Sequence, residues 1–74
     1  MAKMTKEQAY WTADRIRALR KEYSETQNEF SHRVGVVPGT IEMWEQGRGI
    51  PNQTACLLMN RLKKELKETQ PLAS

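Results

Sequence analysis

Apolar residues recur along this chain with the period of helices, and no stretch alternates for long enough to read as a strand. Ala9, Ala13, Ile16, Leu19 and Tyr23 fall on one helical face. Two starts fit that first helix. Thr5 followed by Gln8 has capping-box spacing, in which two groups three residues apart satisfy each other's backbone N–H. Thr12 is the other, with Asp14 in the first turn, where a carboxylate complements the helix dipole. The helix ends near Lys21 or Tyr23, because Ser24-Glu25-Thr26 interrupts the period.

Thr26 and Glu29 form a second capping-box pair and open a short second helix over 27–34, with Phe30 and Val34 facing inward. Gly35 follows, at the position where a helix end needs a left-handed backbone. After Val36, Pro38 pushes Val37 into an extended conformation and suits the first position of a third helix, which Gly47 ends. Ile41 and Trp44 face inward there. Gly49 and Pro51 delay the next helix, and Asn52 is placed to cap it. That last helix runs from Gln53 to about Glu68. Ala55, Leu58, Leu62 and Leu66 give it a face, with Cys56 and Met59 on the flank. Residues 1–4 and 69–74 read as loose ends. The pattern predicts an all-α fold, a small bundle of four to five helices, in a single domain over 1–74.

Length agrees: 74 residues make one domain with a modest core. One cysteine and one histidine cannot form a disulfide framework or a structural zinc site, so no cofactor is expected. Cys56 reads as a small buried residue and fits a reducing cytosol. No apolar run reaches the roughly 20 residues that span a bilayer, and no apolar segment follows Lys3 and Lys6 as in a secretory signal. The expected place is the cytoplasm. No nucleophile–base pair, metal cluster or glycine-rich phosphate loop suggests an enzyme.

The net charge of +3 is compatible with nucleic acid without requiring it. Its distribution is more telling. Arg15, Arg17, Arg20 and Lys21 cluster, and Arg33 and Arg48 follow. Arg61, Lys63, Lys64 and Lys67 alternate with Glu65 and Glu68, which fits a solvated helix face.

The segment 27–46 is helix, three-residue turn, helix, with Gly35 in the turn and the small Ser31 where crossed helices come closest. Together with IRALRKE (16–22), TQNEFSHRVGVVPGTIEMWEQG (26–47) and Pro51, it resembles the Cro/phage-repressor type of helix-turn-helix, the xenobiotic-response-element family, with a lambda-repressor-like fold. The resemblance implies that Gln27 touches the DNA backbone and that helix 38–46 lies in the major groove. Val37, Pro38, Gly39 and Met43 would then face bases. It also implies that Arg20 and Glu45 join the first helix to the third, as a guanidinium fork and a carboxylate can. The alternative for those two is a pair of independent surface charges.

Three departures from the family pattern stand out. Glu25 occupies a place where the family usually has an apolar residue. Val37 replaces a Ser or Thr cap, a loss of about 1 kcal/mol. The usual polar base readers are absent. Met43 and its apolar neighbours would pack on thymine methyls, Glu42 would accept from a cytosine amino group, and Thr40 and Gln46 remain as hydrogen-bonders. Further specificity would come from His32 and Arg33, from Arg48, from Asn52 and Gln53, and from DNA shape.

The expected function is a repressor that binds a palindromic operator in double-stranded DNA as a homodimer, through whichever of Leu57, Met59, Leu62 and Leu66 the core leaves free. The alternative is an antitoxin that binds a partner toxin and represses its own operon. Its partner surface would be the last helix or the aromatics Tyr10 and Trp11, although packing on the last helix is the commoner fate of such aromatics.

Overall fold

The computed structural model describes residues 3–69. They form five α-helices and no strand: α1 (Lys6–Tyr10), α2 (Ala13–Glu22), α3 (Gln27–Val34), α4 (Pro38–Glu45) and α5 (Gln53–Thr69). Thr69 thus belongs to a helix and not to a loose end. The expected ends 1–2 and 70–74 lie outside the described residues.

Both candidate starts of the first helix are used. Thr5 caps α1 in a full capping box with Gln8, and Thr12 caps α2 by accepting from the Arg15 N–H. Between them the backbone leaves the helical region at Trp11 (φ −85°, ψ 73°). This break overturns the single face drawn through Ala9. Ala9 is exposed, because α1 no longer shares a period with α2, and Trp11 turns into the core instead. The Trp11 indole donates to Asn60 Oδ1 at 2.8 Å, and Gln8 donates to the Pro51 carbonyl at 3.1 Å. Gln53 donates to Glu7 at 3.0 Å and accepts from the Thr5 hydroxyl. These bonds hold α1 against α5, so Trp11 is a packing residue.

The core joins Trp11, Ile16 and Leu19 to Phe30, Val34, Ile41 and Trp44, and these to Ala55, Cys56, Met59 and Leu62. The inward stripe of α5 is rotated from the expected one. Cys56 and Met59 are fully buried, while Leu58 and Leu66 pack at the edge. The reason is that α5 packs against both α1 and α3, so the stripe midway between them is sealed. Burying a side chain the size of Met59 stabilises by about 1.5–3 kcal/mol. Burial also pushes the Cys56 thiol up, which keeps it a packing group.

The junction of α2 and α3 accommodates Glu25 by pairing it. Its carboxylate accepts from Arg33 at 3.0 and 2.7 Å, and the Arg33 guanidinium lies 4.0 Å above the Tyr23 ring. The Tyr23 hydroxyl donates to the Leu62 carbonyl at 2.7 Å. A polar clasp therefore stands where the family usually has an apolar residue. Arg33 holds the Glu25 carboxyl below its usual range, outweighing the opposing effect of burial. In the next turn Gly35 is left-handed (φ 86°), and the N–H groups of Gly35 and Val36 both donate to the Ser31 carbonyl.

Candidate nucleic-acid interface

Helix α4 starts at Pro38, and its N-cap Val37 is extended with no side-chain cap bond. Gly39 weakens it further, by about 1 kcal/mol relative to alanine. It has no acidic residue in its first turn and no basic residue in its last. What fixes it is its inner face. Ile41, Trp44 and Glu45 are buried. The outer face carries Pro38, Gly39, Glu42 and Gln46, all exposed, with Thr40 half-buried. Val37 is 65% exposed and Met43 43%. Val37, Pro38, Gly39 and Met43 are the positions the resemblance assigned to bases, and Thr40, Glu42 and Gln46 are the hydrogen-bonders read from the sequence.

Glu45 anchors this helix to its neighbours. Its carboxylate accepts from Arg20 Nε at 2.6 Å and from Arg20 Nη2 at 3.0 Å. Gln27 Nε2 donates to it at 3.1 Å. The Glu45 side chain is 4% exposed and that of Arg20 16%. Burial pushes the Glu45 carboxyl up, but the hydrogen bonds from Arg20 and Gln27 and the charges of Arg20 and Arg17 outweigh it. The carboxyl is therefore held below its usual range. Arg20 is raised in turn, by its hydrogen bond to Glu45 against its own desolvation. Arg20 Nη1 also donates to the Glu25 carbonyl at 3.0 Å, which ties the loop before α3 into the same cluster.

Three residues read from the sequence as DNA contacts are engaged elsewhere. The Gln27 amide points at Glu45, so what it has left for a ligand is its backbone position at the start of α3. Arg33 is committed to Glu25 and Tyr23. Gln53 is tied to α1. Asn52 spends its side-chain oxygen capping α5, by accepting from the Ala55 N–H at 2.8 Å, and remains exposed. Arg48 is exposed in the loop after α4, and among the described residues its side chain forms no ion pair or hydrogen bond. His32 is exposed, and no group of metal-binding side chains occurs among the described residues.

A helix-turn-helix family model matches residues 16–68, which spans α3, α4 and the elements that clamp them. The chain belongs to the Cro/C1-type helix-turn-helix family. No curated protein and no solved structure yields a match. Family membership implies DNA binding and a role in transcription regulation, and the family is typically non-enzymatic. Among the described residues no helix is long and apolar enough to cross a membrane.

In family terms α3 and α4 are the two helices of the helix-turn-helix. The Arg33–Glu25 pair escaped sequence reasoning because a separation of eight residues across a turn carries no helical period. Arg17 escaped it as one arginine among several. Its one signal is a position three residues before Arg20, on the same side of α2.

Proposed function

We propose that this helix-turn-helix protein is a cytoplasmic repressor that occupies a palindromic operator as a homodimer and blocks the polymerase. The observation that carries this reading is the contrast between the two faces of α4. Its inner face is locked by the Glu45 cluster, while its outer face offers the small and apolar Val37, Pro38, Gly39 and Met43. Gly39 permits close approach of the backbone to the groove, and Met43 packs on a thymine methyl. Arg48 supplies a phosphate contact, and the N-termini of α3 and α5, with Asn52, meet the backbone.

One recognition helix covers too few base pairs for a useful affinity, so two copies bind half-sites about 34 Å apart. Met59 and Leu62 belong to the core and drop out of the dimer surface expected from sequence. Leu66 packs at the edge of the core, and Leu57, exposed on α5, is the one of the four on which the dimer surface is proposed to rest. Selection of bound sequences from random duplex DNA tests the reading. A palindromic consensus supports it, and sedimentation should give two chains per site, reduced to one by Leu57→Asp. An asymmetric consensus bound by a single chain refutes the homodimer.

A further inference from the structure

Helix α4 closes its C-terminal end with a Schellman motif at the left-handed Gly47 (φ 74°), but it has no cation of its own there. The carbonyls of its last turn are all accounted for. Glu42 accepts from the Gln46 N–H at 3.0 Å, Met43 from Arg48 at 2.9 Å and Trp44 from Gly47 at 3.1 Å. The Glu45 carbonyl accepts from outside the helix, from Arg17 Nη2 on α2 at 2.7 Å. Asp14, one turn earlier on α2, accepts from Arg17 Nη1 at 3.2 Å and orients the guanidinium. Arg17 Nε also lies 3.8 Å from the Glu45 carboxylate.

We propose that Arg17 is a positioning residue for the recognition helix, acting separately from Arg20. Arg20 grips the Glu45 side chain, which has rotatable bonds between the carboxylate and the helix. Arg17 grips the main chain, so it fixes where the end of α4 sits along α2. It also places a cation at the negative end of a helix that has none of its own. The Arg17 side chain is 39% exposed, and its competing use is a DNA phosphate. The hydrogen bond to the Glu45 carbonyl and the brace from Asp14 favour the positioning role. For its effect on DNA the inference rests on the repressor reading above.

Two measurements on the full chain decide it. The first needs no DNA. Amide hydrogen exchange is compared for wild type, Arg17→Met, which keeps the stem without donors, and Arg17→Lys, which keeps a charged donor. The Gln46, Gly47 and Arg48 amides should exchange roughly 5- to 10-fold faster in Arg17→Met, with recovery in Arg17→Lys and no change at Cys56 or Met59. Equal exchange in wild type and Arg17→Met overturns the contact. The second uses a duplex selected by the wild-type chain and a scrambled duplex, well below the melting temperature. Arg17→Met should lose roughly tenfold on the selected duplex, little on the scrambled one, and keep the same salt slope. Equal losses on both, with the salt slope lowered by about 1, overturn positioning in favour of a phosphate contact. A wild-type chain that selects no sequence refutes the repressor reading, while hydrogen exchange still decides whether Arg17 holds the end of α4.

Discussion

Removing the Arg20 guanidinium should be among the most damaging single changes outside the apolar core. Arg20→Ala deletes two hydrogen bonds to a carboxylate that is 4% exposed, and one to the Glu25 carbonyl. Breaking a buried pair from one side costs about 3–5 kcal/mol, because the remaining charge stays buried. Gln27 at 3.1 Å and the half-exposed Arg17 still face Glu45, so the low end, about 3 kcal/mol, is expected. A domain of this size has about 4–11 kcal/mol in total, and each kcal/mol shifts its melting temperature by about 4–8 °C. The melting temperature should therefore fall by about 12–24 °C. The loss should also depend on pH. The Glu45 carboxyl lies below its ordinary value when folded, so its contribution is fully present above the unfolded value of about 4.3 and is lost as pH falls through the folded one. Urea denaturation followed by circular dichroism, at neutral pH and in steps through the acid range, reads both effects. The gap between wild type and Arg20→Ala should narrow as the carboxyl protonates. A double-mutant cycle of Arg20→Ala with Glu45→Gln that gives a coupling under about 0.5 kcal/mol refutes the argument, since independent sites add within that margin.

Met43→Ala should lose roughly 1–3 kcal/mol on the selected duplex only, with an unchanged salt slope, and uracil in place of the contacted thymine should mimic it without adding to it; unfolding of this variant would instead make Met43 a core residue. Arg48→Ala should weaken selected and scrambled duplexes alike and lower the salt slope by about 1, as titrations at several salt concentrations would reveal. Val37→Ser supplies the missing acceptor at the N-cap of α4 and should raise stability by about 1 kcal/mol in thermal melts; no gain would mean that Pro38 and packing already fix this end. Gly35→Ala, at φ 86° with open space around its Cβ position, should cost about 1–2 kcal/mol from backbone conformation alone, whereas Ser24→Gly, at φ 56°, should stabilise by up to about 1 kcal/mol; chemical denaturation of both variants checks the opposite signs.

The sequence by itself determined the points at which helices can start. Thr5, Thr12, Thr26 and Asn52 each cap a helix start, and Gly35 turns the chain between α3 and α4, because caps and turns are local events settled within three or four residues. It also determined the inner face of the motif, since Phe30, Val34, Ile41 and Trp44 lie on short helices packed on one side. Apart from the capping boxes and the Arg20–Glu45 pair that the resemblance implied, the tertiary structure decided which polar side chains meet. Arg17 and Glu45 are 28 residues apart, Gln27 and Glu45 18, and Gln53 and Glu7 46, so no period links them. It also decided which stripe of α5 is sealed. Cys56 and Met59 were legible as apolar, but the side of a long helix that faces inward depends on where its neighbours lie. The break at Trp11 placed α1 as one of those neighbours, and a backbone bend between two well-capped helices takes its direction from what the indole can bury against.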